Sequence, residues 1–306
     1  MIRTLGLVQA VRLAASGSPD LAAASFSYAG DGRRSGLAAY AIIWERLRYR
    51  RSSVALVVSV NGKLLGMVSA RRGSGPTAWF VDHLMLPGGD DAPLCDLLEA
   101  ASTYAGKQGA ERLFLRVPDE WYLQKLAYQS GFTALSQVLV LTLPGRSLLY
   151  KEEPRLATRV RRAADDLALF RLYNACTPAE VRYKTGMTLQ QWKDALEPSG
   201  QRTRELVVES EGEVVGWIRM DVQSGCVKVR TLTLSTEAVD MPSLVAYVVR
   251  ASSKRDILWE ASDYQADLHL LLERMGFEVS GCYRLMVNSL ALVVKEQAWA
   301  PAPTSV

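Results

Sequence analysis

A mixed α and β fold, built as two consecutive copies of one domain, is what this 306-residue sequence predicts. Three observations carry that prediction. The segment Val57-Val58-Ser59-Val60-Asn61-Gly62-Lys63-Leu64-Leu65-Gly66-Met67-Val68 recurs 150 residues later as Val207-Val208-Glu209-Ser210-Glu211-Gly212-Glu213-Val214-Val215-Gly216-Trp217-Ile218. Each copy is followed by a helix-like stretch ending in Gly-Phe, at Gly131-Phe132 and again at Gly276-Phe277, an offset of 145. Solenoid units run about 20 to 50 residues, so this period marks a duplicated domain. Within each copy, helices are interspersed with strands of a mostly antiparallel sheet, the pattern of an α+β domain.

In the first half, residues 7–13 read as an opening strand and residues 37–49 as a helix. Residues 54–60 and 64–70 form a hairpin turning on Asn61-Gly62, a dipeptide suited to a tight turn with positive φ. A strand at 79–86, a helix at 94–105, a strand at 113–117 and a helix at 121–128 follow, with closing strands in 132–143. Pro144-Gly145 and Lys151-Glu152-Glu153-Pro154 punctuate the junction. The second half opens with a short strand, Val160-Arg161-Arg162-Ala163. Asp165-Asp166 then cap a helix with apolar Leu167, Leu169, Phe170, Leu172 and Tyr173. Thr188 caps another helix through Trp192 and Leu196, stopped by Pro198 and Gly200. Strands 206–210 and 214–222 turn at Glu211-Gly212-Glu213, and a third strand spans 226–234. A helix at 243–250, a strand at 257–260, a helix at 266–274 and a closing strand pair in 277–294 complete the copy. The expected division is 1–150, 151–297 and a disordered tail at 298–306 that contains two prolines.

Formal charge is +4, with 17 Lys+Arg against 13 Asp+Glu in residues 1–153 and 19 against 19 in residues 154–306. Arg46, Arg48, Arg50 and Arg51 cluster beside Trp44 and Tyr49, a footprint too small for a nucleic-acid surface, and are expected to be a solvated helix end. Cys95, Cys176, Cys226 and Cys282 stand apart, with no CxxC spacing and no neighbouring His, so a reduced chain without a metal site is expected. The apolar opening is broken by Gln9 and Arg12, and no stretch reaches the roughly 20 uncharged apolar residues of a spanning helix. A cytoplasmic protein without a membrane partner is expected. Trp44, Trp79, Trp121, Trp192, Trp217 and Trp259 are scattered through the elements and are expected to pack in cores or between domains. Ser102, Cys95 and Cys176 lack a nucleophile motif such as GxSxG, and His269 sits in an apolar run as a structural residue.

The element order, the hairpin of form Val-Val-x-x-x-Gly-x-Val-Val-Gly, the opening Val160-Arg161-Arg162-Ala163-Ala164-Asp165-Asp166-Leu167 and the helices ending in Gly131-Phe132 and Gly276-Phe277 resemble the GNAT superfamily of acyl-CoA-dependent N-acyltransferases. The resemblance covers nearly the whole chain, once per half. It implies acetyl-CoA or CoA as cofactor and an amine substrate, either a small molecule or a protein. In that family the fourth strand runs into a loop of pattern Arg/Gln-x-x-Gly-x-Gly/Ala, whose backbone N–H groups cradle the CoA pyrophosphate at a helix start. By resemblance, the cofactor would lie near Leu84, Leu86, Gly88, Gly89 and Leu94. The loop here departs from the pattern, with Asp90 near the Arg position and Pro93, which has no N–H, near a glycine position. In the second half the loop from Leu234 to Ser243 holds no glycine and two carboxylates.

Acyl transfer from a thioester to an amine needs a proton acceptor, oxyanion donors and an acid for the leaving thiolate. The family often places a Tyr acid four residues before the Gly of Gly-Phe, where this chain has Leu272 and Ala127, with Tyr128 one residue on. Tyr128 is the candidate acid, and Asp82 or His83, on the fourth strand of the first half, the candidate base. Strand alternation is expected to bury one of Asp82 and His83 and expose the other. Three functions stay open at this point: an N-acyltransferase using the first half, a non-catalytic scaffold or partner- or ligand-binding protein on the same fold, or a chain whose halves have distinct tasks, one acting on substrate and the other stabilising the pair.

Overall fold

The structure, a computed structural model, describes residues 2–4, 25–27, 52–60, 63–85, 92–145, 156–223, 225–234, 239–253 and 255–290. The strand expected at 7–13, the helix expected at 37–49 and the tail at 298–306 lie outside these residues, as do Leu86, Gly88, Gly89 and Asp90.

The first half runs β1 (Ile2–Thr4), β2 (Ser25–Ser27), β3 (Ser53–Val60), β4 (Lys63–Arg72), β5 (Ala78–Met85), α1 (Ala92–Lys107), β6 (Arg112–Pro118), α2 (Trp121–Gln129) and β7 (Thr133–Leu143). The second runs β8 (Thr158–Val160), a 3-10 turn at Ala163–Asp165, α3 (Asp166–Cys176), α4 (Ala179–Thr185), α5 (Leu189–Asp194), β9 (Thr203–Ser210), β10 (Glu213–Val222) and β11 (Cys226–Thr233). It closes with α6 (Met241–Ala251), β12 (Asp256–Ser262), α7 (Ala266–Arg274) and β13 (Glu278–Ser289). The opening strand of this half ends at Val160, earlier than expected. Asp165 explains the difference, because its carboxylate accepts the Arg162 N–H at 2.6 Å and the Arg159 guanidinium at 2.8 Å, and so folds the chain into the turn.

Both repeated motifs have a local cause. Glu211 and Gly212 adopt φ of 52° and 84°, the paired positive values of the tight hairpin turn. Gly131 and Gly276 have φ of 83° and 85° just past α2 and α7. The next residue closes the helix end in each copy, with Phe132 N–H donating to Ala127 O at 3.1 Å and Phe277 N–H to Leu272 O at 3.0 Å. This is the capping pattern that requires a left-handed residue, and both phenylalanines are buried beneath it.

The described strands form one sheet in the order β1-β3-β4-β5-β6-β13-β7-β12-β11-β10-β9-β8, with β2 attached to β5. The closing strand pairs expected at 132–143 and 277–294 are each a single long strand, and the two are exchanged. β13 lies between β6 and β7, while β7 lies between β13 and β12. Each therefore completes the other half. Met286 of β13 packs in the apolar core of the first half under α1 and α2, and Leu141 and Leu143 of β7 pack in the core of the second half under α6 and α7. On the opposite face of β9 and β10, Val207 and Trp217 pack against Leu169, Leu172 and Tyr173 of α3 and Trp192 of α5.

Neither half is complete alone. Fragments 1–150 and 151–306 expressed separately are expected to be insoluble, and to elute as one complex from size exclusion when co-expressed. In the intact chain, Leu141→Ala is expected to destabilise by about 2 to 5 kcal/mol in denaturant titration.

Candidate functional site

β5 and β6 run parallel but pair only at Ala78↔Arg112, Trp79↔Leu113 and Phe80↔Phe114. Residues 81–85 and 115–118 then diverge and open a wedge at the C-terminal ends of the strands, where ligands enter open α/β sheets. In the second half, β11 and β12 pair from Cys226↔Asp256 to Arg230↔Glu260 before they part.

What fills the two wedges differs. In the second, Gln265 ties the diverging strands together. Its Nε2 donates to Thr231 O and its Oε1 accepts from Ser262 N–H, both at 3.0 Å. Cys176 Sγ donates to Thr233 O at 2.9 Å. The start of α6 is also taken, since Asp240 accepts the Ser243 N–H at 3.1 Å and the Ser243 hydroxyl at 2.6 Å. A helix N-terminus that would attract a phosphate there already holds a carboxylate. In the first wedge, β4 pairs with one edge of β5 through Met67, Val68 and Ser69. The other edge, facing the wedge, carries β2 as Ser25↔Met85, Phe26↔Leu84 and Ser27↔His83.

Asp82 and His83 are together on the β5 bank of this wedge. Ser69 opposes His83 and Ala70 opposes Val81, so Asp82 is a bulge residue. The bulge breaks the alternation, and both side chains are buried, contrary to the expectation that one would be exposed. Arg71 Nε donates to Asp82 Oδ1 at 2.7 Å, which fixes the carboxylate. Leu84 and Leu94 belong to the apolar core of the first half. Tyr128 lies on the solvent side of α2, 47 % exposed, with Leu123 and Ala127 on the buried side. The one-residue offset from the family position thus turns the tyrosine out of the core. Trp79, Trp192, Trp217 and Trp259 pack as expected, whereas Trp121 at the start of α2 is 74 % exposed.

No protein-family model matches the chain, and no curated protein matches it by sequence. Solved structures do match it. A GCN5-related N-acetyltransferase from Sphaerobacter thermophilus superposes with TM-score 0.55 at 14 % identity, covering 94 % of this chain and 95 % of that one. A tandem GNAT protein from the clavulanic acid biosynthesis pathway gives 0.54 at 13 %, covering 94 % and 98 %. A Drosophila protein gives 0.56 at 15 %, also covering 94 % and 98 %. The chain has a tandem GNAT fold.

Between the halves of this tandem GNAT fold lies a buried ionic seam. Glu205, Arg219, Arg230 and Glu260 stand in register across β9, β10, β11 and β12, at the level where the second wedge begins. They alternate with core residues and face the loop after α5. Glu197 of that loop binds Arg230 at 2.9 Å and, from the first half, Arg116 at 2.7 Å. Arg116 also reaches Glu260 at 3.3 Å, and Lys228 meets Glu260 at 2.8 Å. Burial by itself would raise the Glu260 carboxyl, but Arg116, then Lys228 and Arg230, outweigh it and hold it at about 2. Glu197 is held well below the ordinary carboxylate range, with Arg230 and Arg116 overcoming its burial. Burial first, and Arg116 second, push the Lys228 ammonium down. Beside the seam a cleft of about 160 Å³ is lined by Ser74, Arg161, Lys193, Glu197, Ser199 and Glu205.

A second contact docks α5 on the turn between β4 and β5. Asp194 Oδ2 accepts the Thr77 N–H at 3.1 Å and its hydroxyl at 2.7 Å, and Ser74 N–H donates to Leu196 O at 2.9 Å. A Cβ on Gly73 would strike the Asp194 carbonyl, and one on Gly75 its carboxylate. Sequence reasoning missed the seam. Its available signal was charge at alternate positions inside apolar strands, at Arg219, Lys228, Arg230 and Glu260.

Because the folded-state carboxyls lie below their ordinary 4.5, the seam's contribution is complete above about pH 4.5 and lost as pH falls toward 2. Melting temperature is expected to drop across that window, and Glu260→Gln to flatten the slope while lowering the plateau.

Proposed function

We propose that the chain is an acyl-CoA-dependent N-acyltransferase with one donor site, in the first half, and that the second half serves as its structural partner. One difference between the wedges supports this reading. The second is bridged by Gln265, which bonds both diverging strands, whereas the first is lined by β2, a short strand remote in sequence whose departure would leave the pairing of β5 with β4 and β6 in place. The pantetheine arm of CoA is an extended chain with two amides, and a strand edge is the natural partner for such a chain. The donor would lie along the β5 edge that β2 pairs with, so binding displaces β2. The Sphaerobacter neighbour is named an N-acetyltransferase, consistent with this chemistry.

In the reaction, His83 takes the proton of the attacking amine, and Asp82, fixed by Arg71, orients the site without carrying the proton itself. Tyr128 stands on the exposed side of α2, away from the thioester, so the departing thiolate takes its proton from solvent. The amine belongs to a small molecule or a protein. A second reading, a non-catalytic scaffold, is favoured by Gln265 and Asp240 in the second half and by the two aspartates of the first loop.

Calorimetric titration with CoA and acetyl-CoA separates the two. Micromolar binding, about −8 kcal/mol, is expected. Phe26→Pro, which removes a donor from β2 and disfavours its pairing, is expected to tighten it. His83→Ala is expected to lower kcat with the acetyl-CoA affinity unchanged. Absence of binding to both the parent and Phe26→Pro supports the scaffold.

A further inference from the structure

We propose that Trp121 and Lys125, on the exposed flank of α2, form a platform for the adenosine 3′-phosphate end of the acyl donor, an inference that rests on the donor reading above. Among the described tryptophans, Trp79, Trp192, Trp217 and Trp259 are buried, while Trp121 is left in water. An exposed indole with a cation held over it is fitted to receive a flat, anionic group. Trp121 is the first residue of α2, separated from Pro118 at the end of β6 only by Asp119 and Glu120, so it stands at the open end of the wedge. One helical turn on, Lys125 Nζ sits over the indole at 5.3 Å from its centroid. Of the two acidic neighbours, Asp119 is taken up by Gln124 at 2.8 Å, Gln137 at 3.1 Å and Arg284 at 3.8 Å, while Glu120 stands exposed at the helix start.

The depth of the wedge requires such a platform. From Asp82 to residue 85 the β5 bank runs about 10 Å at the usual rise per residue, shorter than an extended pantetheine arm. With the thioester at Asp82 and His83, the nucleotide must emerge at the mouth. An adenine presents a π-face that stacks on an indole, and its ribose 3′-phosphate is dianionic, the complement of an ammonium held beside the ring. Lys125 covers one face of Trp121, and the base takes the other. The platform would thus distinguish CoA from donors that end at pantetheine, and the wedge alone would bind the arm.

The test uses the full-length protein with CoA, pantetheine and adenosine 3′,5′-bisphosphate as separate probes in calorimetric titration. Trp121→Ala is expected to weaken CoA and the bisphosphate about tenfold and to leave pantetheine unchanged. Trp121→Phe should retain most of the affinity, and Lys125→Met should abolish the preference for CoA over 3′-dephospho-CoA. Melting temperatures equal to the parent's show that the exposed substitutions leave the fold intact. Equal CoA affinity in the parent and Trp121→Ala overturns the platform, as does an equal loss for CoA and pantetheine. Pantetheine binding with no added affinity from the nucleotide overturns the platform while sparing the donor reading. No binding of CoA or pantetheine overturns both.

Discussion

Backbone hydrogen bonds among β6, β13, β7 and β12 join the two halves in the middle of the sheet, and the remaining architecture is arranged around that exchange. Each exchanged strand carries apolar side chains into the core of the other half, so the seam is part of two hydrophobic cores rather than a surface between finished domains. The buried ions depend on it as well. Arg116 of β6 can meet Glu197 and Glu260 only because the intervening strands hold β6 and β12 at a fixed spacing. Buried charges are tolerated where geometry and hydrogen bonding are exact enough to offset desolvation, and breaking one partner leaves an uncompensated charge. The ionic row therefore specifies the mutual placement of the halves more than it adds stability.

The two halves differ in what fills the wedge between their parallel strands. Both keep the hairpin, the parallel pair that parts at its C-terminal end and the glycine-capped helix. In the second half the parting strands are held by a side-chain amide, and the following helix start by an aspartate. The α5 region of that half reaches across to the first, where Ala195 packs with Phe80 and Phe114 beneath the β5 and β6 bank. The second half thus braces the strands on which Asp82 and His83 stand.

Features set by local chemistry were legible in the sequence. The Glu211-Gly212 turn and the Gly-Phe helix ends follow from backbone conformation within a few residues, and the fold class follows from their repetition. Partner choice was not legible. Alternating apolar residues in 132–143 specify a strand but not which sheet it completes, since either half offers a similar slot. The Asp82 bulge was hidden for a related reason, because a bulge depends on the register of β4 rather than on β5 itself. Trp121 reads as a core residue by composition, and only the placement of α2 turns it outward.

The exchange also constrains how the chain comes into being. Domains generally fold in order as they leave the ribosome, yet the slot between β6 and β7 is filled by residues 278–289, which are made only after most of the second half. Until they emerge, the N-terminal sheet presents two unpaired strand edges, the kind of surface that recruits other chains. The first half cannot close until residues 278–289 have been made, so nascent chains of this protein depend on being kept apart during synthesis.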